Sequence, residues 1–355
     1  MEFAIPDHLR TERTRTRRIP DDYAPPYPSY VARFKPSVNR VIMAYFGVQF
    51  ETEPPSARTA LDWIKLRFEA PDGPTHWDQA RFVDEAGYTN IVSVGYWDDH
   101  AKFTRWFPDT RTTWTRENAE MARLGRYAEV LSPSVEGYET LFSSLGCPEG
   151  VAVLADAMST DIQEHAYWGG MRDRIPKSQT DALTPAGAPT YLRDGPTIRV
   201  MPAENICLIR SGQDWTDTDS DERAMYVNDV EPVLREGMMF LRDRGNDVGC
   251  YANRYMVVLD GGGKAQDKSY GMSWWKSLAA LERWAESHPT HVAIFGAAMR
   301  YLMKLGPATG STRRTVRRAK LRLYHEVTVA RADEQFFEYF QCHDRTGMLK
   351  SVKLD

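Results

Sequence analysis

Cysteine is scarce and scattered in this chain: Cys147, Cys207, Cys250 and Cys342 are the four among 355 residues, and no two of them form a Cys-x-x-Cys pair. That spacing argues against a structural zinc cluster or covalent c-type haem attachment and fits a reducing, intracellular setting. A large charge of one sign is lacking too. With a formal net charge of −4 and 26% charged residues there is no global reason to expect nucleic acid or an anionic membrane, so the expected partner is a small molecule. No stretch approaches the roughly 18 apolar residues of a membrane span. The basic run Arg10–Arg18 has no apolar core behind it and is not a secretory signal. A cytoplasmic protein is expected. There is no Gly-x-Ser-x-Gly, no His-Glu-x-x-His, no Walker loop and no dinucleotide fingerprint, which leaves the common hydrolase and nucleotide routes unsupported. Gly261-Gly262-Gly263 lacks phosphate-loop spacing and reads as a turn.

What is present is an alternation of strand and helix patterns. Residues 1–30 carry the Arg run and then Pro20, Pro25, Pro26 and Pro28, and read as an extended arm wrapping a surface, without chemistry of its own. Strands are predicted over Val41–Phe50, Asn90–Trp97, Asn205–Ser211, Gly249–Leu259 and Leu321–Ala330, and helices over Ser56–Phe68 and Asp221–Asp243. Trp97 and Trp106 are nine residues apart, as are Trp275 and Trp284, each pair running from a candidate strand into a candidate helix. This predicts a duplicated βαββαβ unit: one domain over 1–355 with pseudo-symmetric halves at about 40–145 and 200–335. The expected class is α+β, with antiparallel sheets pairing into a barrel-like core and helices outside.

Two histidines carry the chemistry-bearing signal. Pro289 opens a helical pattern in which His291, Ile294, Phe295, Ala298 and Leu302 share one face, expected to point inward. In 321–327, Leu321, Leu323 and His325 alternate with Arg322, Tyr324 and Glu326, which places His325 on the apolar side. A lone histidine on an apolar face is usually a hydrogen-bonded core residue; two of them favour function. His288 and His291 suit zinc only poorly, because no third ligand accompanies them at motif spacing. A single helical histidine ringed by apolar positions is what haem iron requires on its proximal side, with a polar group opposite, and His325 is the candidate for that group.

Tyr-Trp-Gly-Gly-Met-Arg-Asp-Arg (167–174), Ser-Gly-Gln-Asp-Trp (211–215), Ser-His-Pro-Thr-His (287–291) and Leu-Arg-Leu-Tyr-His-Glu-Val (321–327), in this order and with similar spacing, resemble the aldoxime dehydratases over nearly the whole chain. The resemblance implies a duplicated ferredoxin-like barrel, similar to the chlorite-dismutase and dye-decolorising-peroxidase group, with haem b active in its ferrous state. It also implies a homodimer, a reaction turning R–CH=N–OH into a nitrile and water, and a pathway link to a nitrilase or nitrile hydratase. Carried over by motif, the axial iron ligand falls on His291, the acid–base histidine on His325 and the distal serine on Ser211. The supporting pair falls on Arg174 and Glu139, with Arg172 and Glu136 as rivals. The basic stretch 306–320 departs from the family and reads as a surface-loop insertion.

The chemistry suits these roles. Dehydration must expel hydroxide and remove a carbon-bound proton, which histidine serves by giving and then taking a proton near neutral pH. A carboxylate and a cation beside it tune its charge. Rival functions are a haem peroxidase-like oxidoreductase on the related fold and a non-catalytic haem carrier or sensor. His165 reads as a core or supporting residue, and His8, His76, His100 and His343 as exposed or loop-borne.

Overall fold

The computed structural model describes residues 1–305 and 319–355. Most of the basic stretch 306–320 therefore lies outside the described residues.

The first half runs strand Ile42–Phe50, helix Pro55–Phe68, strands His76–Val83 and Thr89–Trp97, helix His100–Trp114 and strand Gly125–Leu131. The second runs strand Ile206–Asp214, a helical stretch from Ser220 to Arg244, strands Cys250–Leu259 and Ala265–Trp275, helices Leu278–Ser287 and Pro289–Lys304, and strand Arg322–Ala330. Within each half the strands lie side by side in the order fourth, first, third, second, the ferredoxin-like arrangement, and every pairing is antiparallel. The predicted tryptophan correspondence is physical: Trp97 packs on Trp106 with ring centroids 5.0 Å apart, and Trp275 on Trp284 at 5.5 Å. The same aromatic wedge thus fixes one helix to one strand in both halves.

The halves join through strand Cys250–Leu259 against His76–Val83, and with flanking strands make one sheet of twelve. This sheet curls. Arg210 and Tyr96 stand on strands four positions apart, which on a flat sheet of ~4.8 Å spacing would hold them about 19 Å apart; instead Arg210 donates to the Tyr96 hydroxyl at 2.9 Å. Arg254 and Glu129, equally distant in strand order, form a bidentate pair at 2.6 and 2.7 Å. Residues such as Met43, Tyr45, Val94, Met256, Tyr270 and Trp274 accordingly share one interior cluster drawn from both halves. Helices cover the outer faces, with Ile64 and Trp106 in one outer cluster and Leu241 and Leu281 in the other.

The helix expected over 221–243 is broken by a π turn at Tyr226–Val230. Pro232, just after it, has no N–H to continue the ladder, and the Glu231 N–H reaches back to Tyr226. Two of the histidines read as exposed or loop-borne are partly buried, one on the first half's edge and one near the C-terminal turn. His76 begins a strand rather than a loop, and His343 is largely buried with Nε2 3.0 Å from Asp84, whose carboxyl also takes the Asn90 amide.

Candidate active site

Strand Arg322–Ala330 pairs on one side with Ile206–Asp214, bringing His325 opposite Ser211, and on the other with Tyr138–Phe142, bringing His325 opposite Leu141 and Val327 opposite Glu139. Residues opposite one another on antiparallel strands share a face, and so do residues two apart, so Ser211, His325 and Glu139 all point to the same side of the sheet. The sequence reading of this strand needs correction. The side expected to be polar, Tyr324 and Glu326, is the buried one, turned into the barrel toward Arg210, whereas Leu323 and His325 face outward, with the His325 side chain 22% exposed. A buried charge pair had disguised the interior face as the solvent face.

Arg174 reaches this face from the short helix Gly170–Arg174. Its Nε donates to Glu139 Oε2 at 2.7 Å, its Nη1 to the Glu164 carbonyl at 2.7 Å, and its Nη2 stands 2.8 Å from His325 Nε2. Glu139 Oε1 lies 3.1 Å from that same nitrogen. The side chains of Arg174 and Glu139 are 2% and 1% exposed, so this is no surface pair. Burial pushes the Glu139 carboxyl up, but Arg174 and His325 outweigh it and hold it below its ordinary value. Of the rivals, Arg172 pairs with Glu282 at 2.7 Å, and Glu136 is exposed; neither meets His325.

His291 sits in the first turn of helix Pro289–Lys304, which Pro289 opens and His288 caps, its Nδ1 taking the Thr290 N–H. The His291 Nδ1–H donates to the Ala285 carbonyl at 2.7 Å, and the ring rests against Trp284 at 4.7 Å. Burial lowers the imidazole's pKa, only partly offset by that hydrogen bond, so the ring is neutral at pH 7. Nε2 has no hydrogen-bond partner among the described residues. The helix face expected to point inward does so only in part: Ile294 and Leu302 pack against buried clusters and His291 and Ala298 are half-buried, but Phe295 is 46% exposed, and the fully buried residues are Ala297 and Tyr301.

Trp168, also 46% exposed, touches both His291 and Phe295, with centroids 5.9 and 5.4 Å away. The segment 165–174 therefore contacts His291 through Trp168 and His325 through Arg174. An axial-type imidazole whose Nδ1–H is fixed by a carbonyl and whose Nε2 is free, set among uncovered aromatic and aliphatic side chains, is the donor chemistry a flat iron porphyrin takes. The residues fit haem. Among the described residues no group of three or more His, Cys, Asp or Glu is gathered to hold a bare metal ion.

Sequence reasoning missed Glu164, whose carbonyl seats Arg174, because a main-chain acceptor leaves no signature in residue type. It also missed the Arg210–Glu326 pair behind the site. His165 is fully buried, neither ring nitrogen has a hydrogen bond among the described residues, and burial lowers its pKa to about 4.

Residues 44–348 match the haem-containing dehydratase family. The aliphatic aldoxime dehydratase of Rhodococcus globerulus is 42% identical over 99% of this chain and 98% of its own, and that of Pseudomonas chlororaphis is 42% identical over 99% of each. The phenylacetaldoxime dehydratase of Bacillus sp. (strain OxB-1) is 31% identical over 94% of each. A crystal structure of an aldoxime dehydratase superposes with a TM-score of 0.90 at 41% identity, covering 100% of this chain and 99% of the other. A second one, in complex with butyraldoxime, also gives 0.90 at 42% identity over 99% and 97%. With its fold and these matches in agreement, the chain belongs to the haem-containing dehydratase family, alongside the aldoxime dehydratases.

Proposed function

We propose that this protein is a haem-dependent lyase that dehydrates aldoximes to nitriles. The observation that carries the mechanism is the double environment of His325 Nε2, 2.8 Å from a guanidinium donor and 3.1 Å from a carboxylate acceptor. Protonated, this nitrogen donates to Glu139; bare, it accepts from Arg174. Either protonation state of Nε2 is therefore partnered; while Nε2–H donates to Glu139, Nδ1, which has no hydrogen bond among the described residues, is left to exchange a proton with substrate.

His291 would hold the haem through Nε2. Bound ferrous haem supplies an electron-rich iron for the oxime nitrogen, with no net redox change over the cycle. Ser211, opposite His325, hydrogen-bonds the oxime oxygen and keeps it toward the imidazole, a positioning contribution. Starting as an imidazolium, His325 gives a proton to the departing hydroxyl, which leaves as water. The neutral ring then takes the proton from the oxime carbon as the nitrile forms, so the residue ends in its starting state. Arg174 and Glu139 keep the ring oriented throughout.

Haem b, the ferrous active state, a homodimer and a link to a nitrile-consuming hydrolase belong to the same proposal and rest on the family resemblance. A cytoplasmic setting is consistent with four unpaired cysteines. No helix among the described residues is long and apolar enough to cross a membrane.

The test is nitrile formation from an arylalkyl and an alkyl aldoxime by haem-loaded protein, with and without dithionite. Product from the reduced enzyme, much slower from the ferric form, is the expected result. A full haem band with no nitrile from either substrate would overturn the reading.

A further inference from the structure

The arm read from sequence as passive wrapping is tied to the residues that hold Arg174. The Ala4 N–H donates to the Glu164 carboxylate at 2.9 Å, and Glu164 is the residue whose carbonyl takes Arg174 Nη1. Asp173, adjacent to Arg174 and buried, accepts on Oδ2 from the Arg18 N–H at 2.9 Å, the Ile19 N–H at 3.0 Å and the Tyr167 hydroxyl at 2.8 Å. Arg13 donates to the Asp173 carbonyl at 3.2 Å. At the mouth of the same short helix, Gly169 has φ +97°, and a Cβ there would stand 2.2 Å from Arg18 Cδ, so the arm lies directly on the helix start. Gln179 closes the far side: its Oε1 takes the Thr11 N–H at 3.1 Å, its Nε2 donates to the Leu9 carbonyl at 2.8 Å, and its own carbonyl takes the Thr14 N–H at 3.1 Å. A cavity walled by Ala4, Pro6, His8 and Leu9 of the arm reaches Glu139 and Arg174. The arm thus forms one wall of the cavity that the ion pair lines.

A buried carboxylate that accepts two consecutive main-chain N–H groups fixes both chains at that point, because leaving it unpaired costs the full desolvation of the charge. Helix Gly170–Arg174 has five residues and no side-chain cap, so little within it sets its own position. We propose that residues 4–19 are a positioning element for the reaction: by seating Glu164 and Asp173 the arm decides where Arg174 stands against Glu139 and His325. This rests on the acid–base assignment proposed above. The arm touches no reacting atom, and its influence runs through Arg174.

A double-mutant cycle tests it in the full-length, haem-loaded protein, with Asp173→Asn and Gln179→Ala made singly and in an Arg174→Ala background. Hydrogen exchange over residues 9–19 reports loosening of the arm independently of turnover. Each single variant is expected to keep its haem band and KM while kcat falls about tenfold, the scale of a sub-ångström misplacement. In the Arg174→Ala background neither should add a further loss, since the affected step is already gone. Undiminished kcat with a loosened arm, or losses that multiply with that of Arg174→Ala, would overturn the proposal. Wild-type turnover by Arg174→Ala alone would instead sink the acid–base assignment. Should Asp173→Asn fail to fold, Gln179→Ala, which changes no charge, carries the same cycle.

Discussion

Ser211 and His325 stand directly opposite one another on neighbouring antiparallel strands, and the residues before and after them, Arg210 and Glu326, form an opposed pair on the other face of the same strands. A slip of strand Arg322–Ala330 by one residue against its neighbours would turn His325 into the barrel and Glu326 out of it. The buried pair and the site thus depend on the same register.

Replacing His325 by alanine is expected to leave the haem spectrum in place and to lower nitrile formation by about 10² to 10⁴, the usual range for a lost general acid–base. Steady-state rates alongside the Soret band check this. Full turnover in the variant would end the proposed mechanism.

His291→Gly should lose or loosen haem, and added imidazole should restore the Soret band. Because burial lowers the His291 pKa, the ring stays neutral below the ordinary 6.5. Haem retention should therefore hold flat as pH falls through 6.5 and drop only in more acid solution, as read by gel filtration of the loaded protein.

Glu139→Leu leaves Arg174 buried without its carboxylate and should cost about 3–5 kcal/mol, seen as a lower denaturant midpoint. In the wild type the Glu139 pKa is depressed from 4.5. Its contribution is present above that value and is lost as pH falls through the depressed folded pKa, so the gap between wild type and variant should close only in strong acid.

Burial raises the Glu326 pKa, with Arg210 opposing it. Arg210→Met removes the opposition, so the carboxyl prefers its neutral form more strongly in the folded state. Stability present at low pH is then lost as pH rises through the raised value. The variant should recover much of its stability on moving from pH 7.5 to pH 5, and the wild type, where Arg210 limits the rise, should gain less. Thermal melts across that range decide it.

Gly212 follows Ser211, and a Cβ there would lie 2.0 Å from Tyr324 Cζ, in a ring already stacked on Phe142. Gly212→Ala must displace Tyr324, next to His325, at about 1–3 kcal/mol. Loss of activity beyond the loss of stability would show that the displacement reaches His325.

Much of the framework was legible along the chain because its signals are local. Pro289 and His288 mark the helix start, apolar runs mark strands such as Ile42–Phe50, and the nine-residue tryptophan spacing marks the repeat that Trp97–Trp106 and Trp275–Trp284 realise in space. Strand Arg322–Ala330 was misread on one face: Val327 and Val329 on the His325 side are buried as apolar residues should be, but the side taken as polar is buried too. Period-two patterning assumes that charge points to water, and Glu326 does not, since Arg210, four strands from Tyr96 yet bonded to it, lies inside with it.

Residue types and their order determined the repeat, the helix that carries His291, the strand that carries His325 and the set of candidates Arg172, Arg174, Glu136 and Glu139. Only the tertiary structure decided among those candidates, turned Phe295 outward beside Trp168, and placed one nitrogen of His325 between a guanidinium and a carboxylate. The reason is physical. Periodicity fixes directions within one element, whereas the closing of the sheet, the seating of a five-residue helix by a distant arm and the pairing of buried charges are set by contacts between residues far apart in the chain.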